Sequence, residues 1–246
     1  MKDPSLDLLV LTDLHYIHTA EDTCAIEKRR CELGPALIRA AFQESQKTGF
    51  QPDALILLGD LVNNGLAPGA AQDLAEIAQA ARETGLPLLA LPGNHDGDVA
   101  TFVATFDSPA GLYEIGGVGL ILLYDRVAAG DVTTRPEETL ALPGQIARQR
   151  PELPLIALQH NPLHPYIEAE YPYMPTNVDR ILESYCEASV LLSLSGHYHS
   201  GQPAHQVGPT TYCTLPATCE APFPYAQVRI HGRTVEIEQR ALDGRL

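Results

Sequence analysis

The chain has 246 residues, and its 16 Lys and Arg residues against 31 Asp and Glu residues give a formal net charge of −15. This balance argues against a protein that coats nucleic acid, because phosphate backbones are bound through clustered cations. With 45% hydrophobic and 19% charged residues, the composition is that of a globular protein and excludes a largely disordered chain.

Short apolar runs recur along the chain, and most of them end at a polar residue followed by Gly, Asn or Pro. Uninterrupted apolar runs of this length, bounded by turn formers, are typical of strands buried on both faces of a sheet. The predicted strands are residues 6–11, 54–58, 86–91, 118–124, 155–158 and 190–194.

Helical patterns lie between these runs, with Ala, Leu, Glu, Gln and Arg recurring at helix-like spacing. The predicted helices are residues 27–47, 69–83 and 135–150. Strands that alternate with helices indicate an α/β fold. Near the end of the chain, residues 226–230 and 234–239 flank a short Gly-containing turn and predict a β-hairpin. Because no repeat or low-complexity linker interrupts the sequence, we interpret residues 1–246 as one domain.

Residues 161–178 form a distinct segment with four prolines and three of the ten tyrosines. The prolines argue against a continuous helix or a central strand. Long loops in compact domains are often functional, so Tyr166, Tyr171 and Tyr173 are candidates to stack on a base or to line a lid. The alternative is a surface excursion packed by its own side chains.

The cellular location of the protein is predicted from two features that the sequence lacks. No apolar run approaches the roughly 18 residues of a membrane span, and the N-terminus does not read as a signal peptide. We therefore expect no membrane span and a cytoplasmic location. The five cysteines include no C-x-x-C pair, which favours reduced thiols over a disulfide framework. Cys24 and Cys31, on one face if their segment is helical, are the alternative thiol pair.

The side chains that could bind metal fall directly after the predicted strands, and the carboxyl ends of strands are where α/β sheets bind ligands. These residues are Asp13, His15, Asp60, Asn94, His160, His197 and His199. Their oxygen and imidazole donors suit first-row divalent ions, and the absence of cysteine from the set disfavours a structural zinc-thiolate site. Seven ligands are too many for one ion, so two ions sharing a carboxylate are the better interpretation.

The ordered motifs resemble those of the calcineurin-like metallophosphoesterase superfamily. The motifs are Asp13-Leu14-His15, Gly59-Asp60, Gly93-Asn94-His95-Asp96, His160 and Gly196-His197-Tyr198-His199. The resemblance covers about three quarters of the chain. It implies an α/β fold in the form of a four-layer α/β/β/α sandwich, with two mixed β-sheets flanked by helices and a dinuclear metal site at the strand ends.

The resemblance also implies roles for these residues. One metal would be held by Asp13, His15, Asp60 and His199, and the second by Asp60, Asn94, His160 and His197. Asp60 would bridge the two divalent ions, which could be Fe, Mn or Zn. A hydroxide bridging the metals would attack phosphorus in line, and the catalytic imidazole of His95 would donate a hydrogen bond or proton to the leaving oxygen.

The second motif indicates which branch of the superfamily the chain resembles most. It lacks the arginine found in the serine/threonine protein phosphatases and the metal-binding tyrosine of the purple acid phosphatases. The most similar branch contains the cyclic-nucleotide and glycerophosphodiester phosphodiesterases, which predicts a phosphodiesterase acting on a small soluble phosphodiester. A phosphomonoesterase of the same superfamily and a non-catalytic metal-binding scaffold are the alternatives.

The predicted substrate contacts are Asn63, Asn161, Tyr16 and Arg30. Asn63 stands where the protein phosphatases have an aspartate that orients His95, and Asp96 is the alternative partner of that imidazole. Arg29 and Arg30 both follow the first motif and could bind a phosphate in a bidentate manner, or they could form a charged helix face. The expected partner is a small phosphoester substrate. A homo-oligomer is compatible with the sequence.

Overall fold

The computed structural model describes residues 3–18, 24 and 26–242. The strands are β1 (Ser5–Leu11), β2 (Ala54–Leu57), β3 (Leu88–Ala90), β4 (Gly111–Ile115), β5 (Val118–Leu122), β6 (Arg126–Val127), β7 (Thr133–Thr134), β8 (Leu155–Leu158), β9 (Leu192–Ser195), β10 (Gln202–Val207), β11 (Thr210–Thr214), β12 (Pro224–His231) and β13 (Thr234–Ala241). The helices are α1 (Gly34–Lys47), α2 (Ala70–Arg82), α3 (Val99–Phe106), α4 (Glu137–Leu140), α5 (Leu142–Gln149) and α6 (Val178–Glu187). All six predicted strands are present, which confirms the prediction that the apolar runs form strands.

The strands form two mixed sheets and a small ribbon. The first sheet has the order β13-β12-β1-β2-β3, in which β1, β2 and β3 are parallel, β12 is antiparallel to β1, and β13 is antiparallel to β12. The second has the order β10-β11-β9-β8-β5-β4, with four parallel strands between antiparallel edge strands. Strands β6 and β7 pair separately.

The two sheets pack face to face. Because successive side chains of a strand point to opposite faces, Leu6, Leu8 and Val10 of β1 enter one shared core. They pack there with residues of the second sheet that include Leu120 and Leu122 of β5. Burying both faces of these strands is what their uninterrupted apolar sequence requires.

Helices cover the two outer faces. Leu9 of β1 packs with Leu37 of α1 and Ile77 of α2, whereas Ile121 of β5 packs with Ile181 of α6 on the other side. The order of layers is helix, sheet, sheet, helix. This confirms the four-layer α/β/β/α sandwich that the sequence resemblance implies.

Two predicted helices are shorter than expected. The helix predicted over residues 27–47 begins at Gly34, with Pro35 in its first turn, where the missing N–H of proline costs nothing. The helix predicted over residues 135–150 is divided at Ala141 into α4 and α5, and Pro143 lies in the first turn of α5. Proline has no N–H to continue the α4 hydrogen-bond ladder, so the chain starts a new helix there.

The sequence interpretation missed α3, α6, β4, β10 and β11. Strands β4 and β10 lie at the sheet edges, where β4 is half-buried and β10 is largely exposed, so neither has the apolar run of a strand buried on both faces. Helix α3 has the sequence VATFVATF, whose β-branched residues have low helix propensity. Asp98 nevertheless caps it, because its carboxylate accepts a hydrogen bond from Thr101 N at 2.8 Å.

The hairpin and the proline-rich loop agree with prediction. His231 pairs with Thr234, so Gly232 and Arg233 form the turn between β12 and β13. Residues 161–177 contain neither helix nor strand, and α6 follows them. All five cysteines are free thiols. Within the described ranges, no helix combines the length and apolar character needed to cross a membrane.

Candidate metal centre and active site

Five loops bring the predicted metal ligands together, and each loop follows the carboxyl end of a parallel strand. Asp13 follows β1, Asp60 follows β2 and Asn94 follows β3. His160 follows β8 and His197 follows β9, so that both sheets contribute. The ligands come from the same end of the sandwich because the strands that carry them are parallel within each sheet.

The first group of ligand atoms comprises Asp13, His15 and His199. The Nε2 atoms of His15 and His199 lie 3.1 Å apart. Asp13 Oδ1 is 3.4 Å from His199 Nε2 and 3.9 Å from His15 Nε2. These three side chains, which are 13% exposed at most, face one point.

The second group comprises Asp60, His160 and His197. His160 Nε2 lies 3.1 Å from His197 Nδ1 and 3.3 Å from Asp60 Oδ2. The same Oδ2 atom is 3.6 Å from Nε2 of His15. Asp60 therefore lies between the two groups, with one oxygen atom facing both.

Hydrogen bonds outside the centre fix the orientation of two imidazoles. Nδ1 of His199 lies 2.6 Å from Oε1 of Glu220, and Nδ1 of His160 lies 2.8 Å from the carbonyl oxygen of Leu58. Both partners are acceptors, so each Nδ1 carries a hydrogen. In its neutral form each ring then presents the lone pair of Nε2 to the centre, which is the arrangement of metal-binding histidines.

These contacts fit a pair of metal ions. Each pair of facing imidazole nitrogens at 3.1 Å either shares one hydrogen or presents two lone pairs that a cation can accept. Two polar atoms of the centre, Asn94 Oδ1 and His197 Nε2, are buried and have no hydrogen-bond partner among the described residues. Buried polar atoms are normally paired, and an amide oxygen is also a suitable metal ligand.

The electrostatics of the centre favour cations. Burial lowers the pKa of His15 well below its usual range, and burial together with the charge of His160 lowers the pKa of His197 to about 4. Burial would raise the pKa of Asp60, but the charge of His160 keeps it well below its usual range. Burial also disfavours the charged form of His160, but the carboxylates of Asp60 and Asp13 outweigh this effect and raise the pKa of His160 to about 10. The bridging position therefore holds an ionised carboxylate that favours a positive neighbour.

Four residues of the centre share an unusual backbone conformation. Asp13, His15, Asp60 and His197 all have positive φ angles, between 44° and 66°. Such conformations are uncommon for residues other than glycine and cluster at functional sites. At Gly93, a Cβ atom would collide with the Asp60 carboxylate. Glycine at this position therefore allows the loop of the third motif to lie directly against Asp60.

His95 lies beside this centre. Its ring makes an edge contact with His15 at a centroid distance of 4.7 Å, and its backbone N–H donates to Asp60 Oδ1 at 2.9 Å. Its Nδ1 lies 2.6 Å from the backbone carbonyl oxygen of Asn63. The contact that the structure places between Asn63 and His95 is therefore made by the main-chain oxygen of Asn63.

Asp96 is not a partner of His95 either. Its buried carboxylate accepts hydrogen bonds from the backbone N–H groups of Leu61, Val62 and Gly93 at 2.7 to 2.9 Å. Asp96 therefore joins the loop of the second motif to the loop of the third.

Two cavities meet at His95 and Asp131, which line both. The larger cavity, of about 410 Å³, is lined by Ile26, Lys28, Arg29, Asp60, His95, Asp131, Tyr171, Tyr173, His197, Tyr198, His199, Ser200 and Glu220. The smaller cavity, of about 380 Å³, is lined by Asn64, Gly65, Leu66, Asn94, His95, Gly97, Asp98 and Asp131. The metal-binding groups therefore face a cleft with two arms.

Tyr171, Tyr173 and Tyr198, which we call the tyrosine wall, line the larger cavity. The rings of Tyr171 and Tyr173 are 4.8 Å apart, and those of Tyr173 and Tyr198 are 5.0 Å apart. The Tyr173 ring also contacts His197 at 5.4 Å. Two of the three predicted loop tyrosines thus reach the site, while Tyr166 is 73% exposed and does not line either cavity.

The four predicted substrate contacts do not line either cavity, and each makes contacts elsewhere in the chain. Tyr16 is buried and donates to Glu76 Oε2 at 2.5 Å. Asn161 is buried and donates to the carbonyl oxygen of Tyr173 at 3.0 Å. Arg30 forms an exposed ion pair with Glu32 at 2.7 Å. Each of these polar groups is already occupied by another part of the chain, and the fourth, Asn63, contributes its carbonyl oxygen to His95.

Sequence reasoning missed Glu220, the partner of His199. Glu220 follows β11, and β11 is parallel to β9, the strand that leads to the last motif. A prediction of β11 as a strand would have placed Glu220 at the same sheet edge as the other site residues. The sequence of β11, Thr210–Thr214, is mostly polar, so it does not form the kind of apolar run from which the strands were predicted.

Comparisons with known proteins agree with this geometry. A family model described as calcineurin-like phosphoesterase matches residues 6–201. Over 234 residues the chain is 24% identical to a protein of Rhodococcus erythropolis named "Probable cyclic nucleotide phosphodiesterase", with 91% of this chain and 73% of that protein covered.

Solved structures show the same fold. The crystal structure of a dimetal phosphatase from Danio rerio is similar with a TM-score of 0.74 at 15% identity, covering 97% of this chain and 99% of that one. A purple acid phosphatase from yellow lupin is similar with a TM-score of 0.64 at 15% identity, covering 98% of this chain and 52% of that one. With a family model that matches residues 6–201, the chain belongs to the calcineurin-like phosphoesterase family.

Proposed function

We propose that this protein is a dinuclear metal-dependent phosphodiesterase that hydrolyses small phosphodiesters such as cyclic nucleotides. The observation that carries the proposal is the position of Asp60, whose Oδ2 lies 3.6 Å from His15 Nε2 and 3.3 Å from His160 Nε2. A carboxylate oxygen with imidazoles on both sides suits a bridge between two ions.

The residues that would hold the ions divide into two sets that share this carboxylate. Asp13, His15, Asp60 and His199 would hold one ion, and Asp60, Asn94, His160 and His197 would hold the other. This mixture of imidazole, carboxylate and amide oxygen accepts zinc, iron or manganese. When bound, two such ions activate water and neutralise phosphoryl charge.

His95 would supply the proton to the leaving oxygen. The carbonyl oxygen of Asn63, 2.6 Å from Nδ1, can only accept, so Nδ1 of His95 is a donor and Nε2 is the nitrogen left for substrate. A general acid at this position would donate its proton from Nε2.

The cleft supports a diester over a monoester. A diester carries two ester groups, and cavities of about 410 Å³ and 380 Å³ extend from His95. A monoester would leave one of them filled only with solvent. The name of the Rhodococcus relative points to the same class of substrate.

The test is a comparison of substrates on protein loaded separately with manganese, iron or zinc. We expect a higher kcat/KM for bis-p-nitrophenyl phosphate than for p-nitrophenyl phosphate, and then turnover of a cyclic nucleotide or a glycerophosphodiester. A preference for the monoester would overturn the diesterase assignment. Two bound ions per chain without hydrolysis of any ester would instead identify a non-catalytic scaffold.

A further inference from the structure

Arg29 is a cation without a carboxylate partner among the described residues. Its neighbours are paired, Lys28 with Glu220 at 2.8 Å and Arg30 with Glu32 at 2.7 Å. The Nε atom of Arg29 is buried and has no hydrogen-bond partner in the described part of the chain. In a chain with a net charge of −15, carboxylates are plentiful, so it is unusual for an arginine at a cavity to have none as a partner in the described part of the chain.

The backbone around Arg29 is held in place. Arg29 forms an isolated antiparallel bridge with Glu220, and the next N–H, that of Arg30, donates to the carbonyl oxygen of Cys219 at 2.9 Å. The side chain lines the larger cavity together with the tyrosine wall. A donor that the backbone holds at a cavity loses little conformational entropy when it binds a ligand.

Among the described residues, the one close polar contact of the guanidinium is with a metal-ligand candidate. Nη1 of Arg29 lies 3.4 Å from Nδ1 of His15. If Nε2 of His15 binds an ion, as the proposed function requires, Nδ1 of the neutral ring carries the hydrogen. Arginine has only donors, so this contact is then not a hydrogen bond. In the loaded protein the guanidinium needs another acceptor.

The geometry also limits where that acceptor lies. Nη1 is beside Nδ1 of His15, whereas Nε2 of the same ring faces Asp60 at 3.6 Å and His199 at 3.1 Å. The imidazole ring thus separates this guanidinium nitrogen from the ligand atoms. Arg29 is placed to reach a group attached to the scissile phosphoryl and not the phosphoryl group itself.

We propose that Arg29 recognises a second anionic group of the substrate, a carboxylate or phosphate on the ester group that remains on phosphorus. This inference rests on the proposed function and narrows its substrates to acyclic diesters that carry a second anion. The leaving alcohol is assigned to the smaller cavity, which His95 lines and Arg29 does not. The retained group then occupies the larger cavity, with its carbon skeleton against the tyrosine wall and its anion on Arg29, whose planar fork binds oxyanions in a bidentate manner.

The test uses two diesters with the same leaving group, propyl p-nitrophenyl phosphate and 2-carboxyethyl p-nitrophenyl phosphate. Their retained groups have equal length and differ in charge. We expect the metal-loaded protein to favour the carboxyethyl ester in kcat/KM by about tenfold or more, the effect of a charged hydrogen bond worth about 1.5–3 kcal/mol. Arg29→Met should bring this ratio close to one, and Arg29→Lys should keep part of it.

Arg30→Met is the matched control and should keep the wild-type ratio, because Arg30 pairs with Glu32 outside the cavity. Equal kcat/KM values for the two esters in the wild-type protein, or an equal loss for both in Arg29→Met, would overturn the proposal. Loss of bound metal in Arg29→Met would also overturn it, since Arg29 would then act by supporting His15.

A binding measurement separates failure of this inference from failure of the proposed function. The affinities of both esters for metal-loaded His95→Ala protein are measured by calorimetry, with and without Arg29→Met. Tighter binding of the carboxyethyl ester that depends on Arg29 supports the inference even if the wild-type protein hydrolyses neither ester. Equal binding of the two esters contradicts it.

Discussion

Glu220 connects a surface cation to the metal centre. Its Oε1 lies 2.6 Å from His199 Nδ1, and its Oε2 lies 2.8 Å from Lys28 Nζ. A carboxylate behind a metal-binding imidazole fixes the ring orientation and raises its basicity. Because the carboxylate and the imidazole are both largely buried, solvent does not replace this contact easily.

We expect Glu220→Ala to weaken binding of one metal ion by about 10–100-fold, the usual effect of removing such a partner. The other ion, held on the far side of Asp60, should bind nearly as in the wild-type protein. Calorimetric titration with manganese measures both affinities. Glu32→Ala is the control, since Glu32 is exposed and pairs with Arg30. Unchanged binding in Glu220→Ala would show that His199 is oriented without it.

His95 should affect turnover and not metal content. It lies beside His15 but is assigned to the leaving group, so His95→Ala should lower kcat by about 10²–10⁴-fold while both ions remain bound. Asp60→Ala, which removes the shared carboxylate, should lose metal. Elemental analysis and initial rates measure the two effects. A loss of metal in His95→Ala equal to that in Asp60→Ala would contradict the assignment.

At the scale of elements, Asp96 holds two strand-end loops together. The loops after β2 and β3 carry Asp60 and Asn94, and the carboxylate of Asp96 accepts two backbone hydrogen bonds from the first loop and one from its own loop. The centre therefore depends on a buried side chain that need not contact a metal ion or substrate. Such a residue is part of the motif because it sets the distance between the loops.

Asp96→Ala should lower the free energy of unfolding by at least about 2 kcal/mol, because the buried N–H groups of Leu61 and Val62 lose their acceptor at roughly 1–3 kcal/mol each. Urea denaturation in the presence of a chelator measures this without a contribution from bound metal. Asp98→Ala is the comparison and should cost about 1 kcal/mol, as expected for an exposed helix cap. Equal losses in the two variants would contradict the role of Asp96.

At the scale of the whole molecule, a buried polar network supports the second sheet and its helices. The Arg135 side chain is fully buried and forms an ion pair with Asp125 at 2.5 Å. It also donates to Tyr185 Oη in α6 at 3.1 Å, and Tyr185 donates to Gln159. Gln159 precedes His160, so the network runs from the helical layer to the strand end at the metal centre.

Arg135→Met should lower the free energy of unfolding by about 3–5 kcal/mol, since it leaves the buried Asp125 carboxylate unpaired. Adding Asp125→Leu should recover much of that loss, because the uncompensated charge is then removed. Arg126→Met is the control, as Arg126 and Glu138 form an exposed pair worth at most about 1 kcal/mol. Chemical denaturation of the four proteins compares these values. No recovery in the double variant would show that the cost is lost packing and not charge.

The sequence by itself determined the buried strands and the side chains at their ends. A strand covered on both faces must be a continuous apolar run, so β1, β2 and β8 are visible in the sequence. The ligands follow those runs directly, which is why the strand-end pattern and the family resemblance were recognisable. The edge strands β4 and β10 are not buried on both faces, so they need no continuous apolar run and are not visible in the sequence in this way.

Only the tertiary structure decided which polar groups meet across long separations in sequence. The carbonyl of Asn63 on His95, the carboxylate of Glu220 on His199, and the choice of Arg29 over Arg30 all depend on side-chain direction and on contacts between loops from different strands. Residue type and spacing do not specify these contacts, because each of these groups has other hydrogen-bond partners available until the loops pack together.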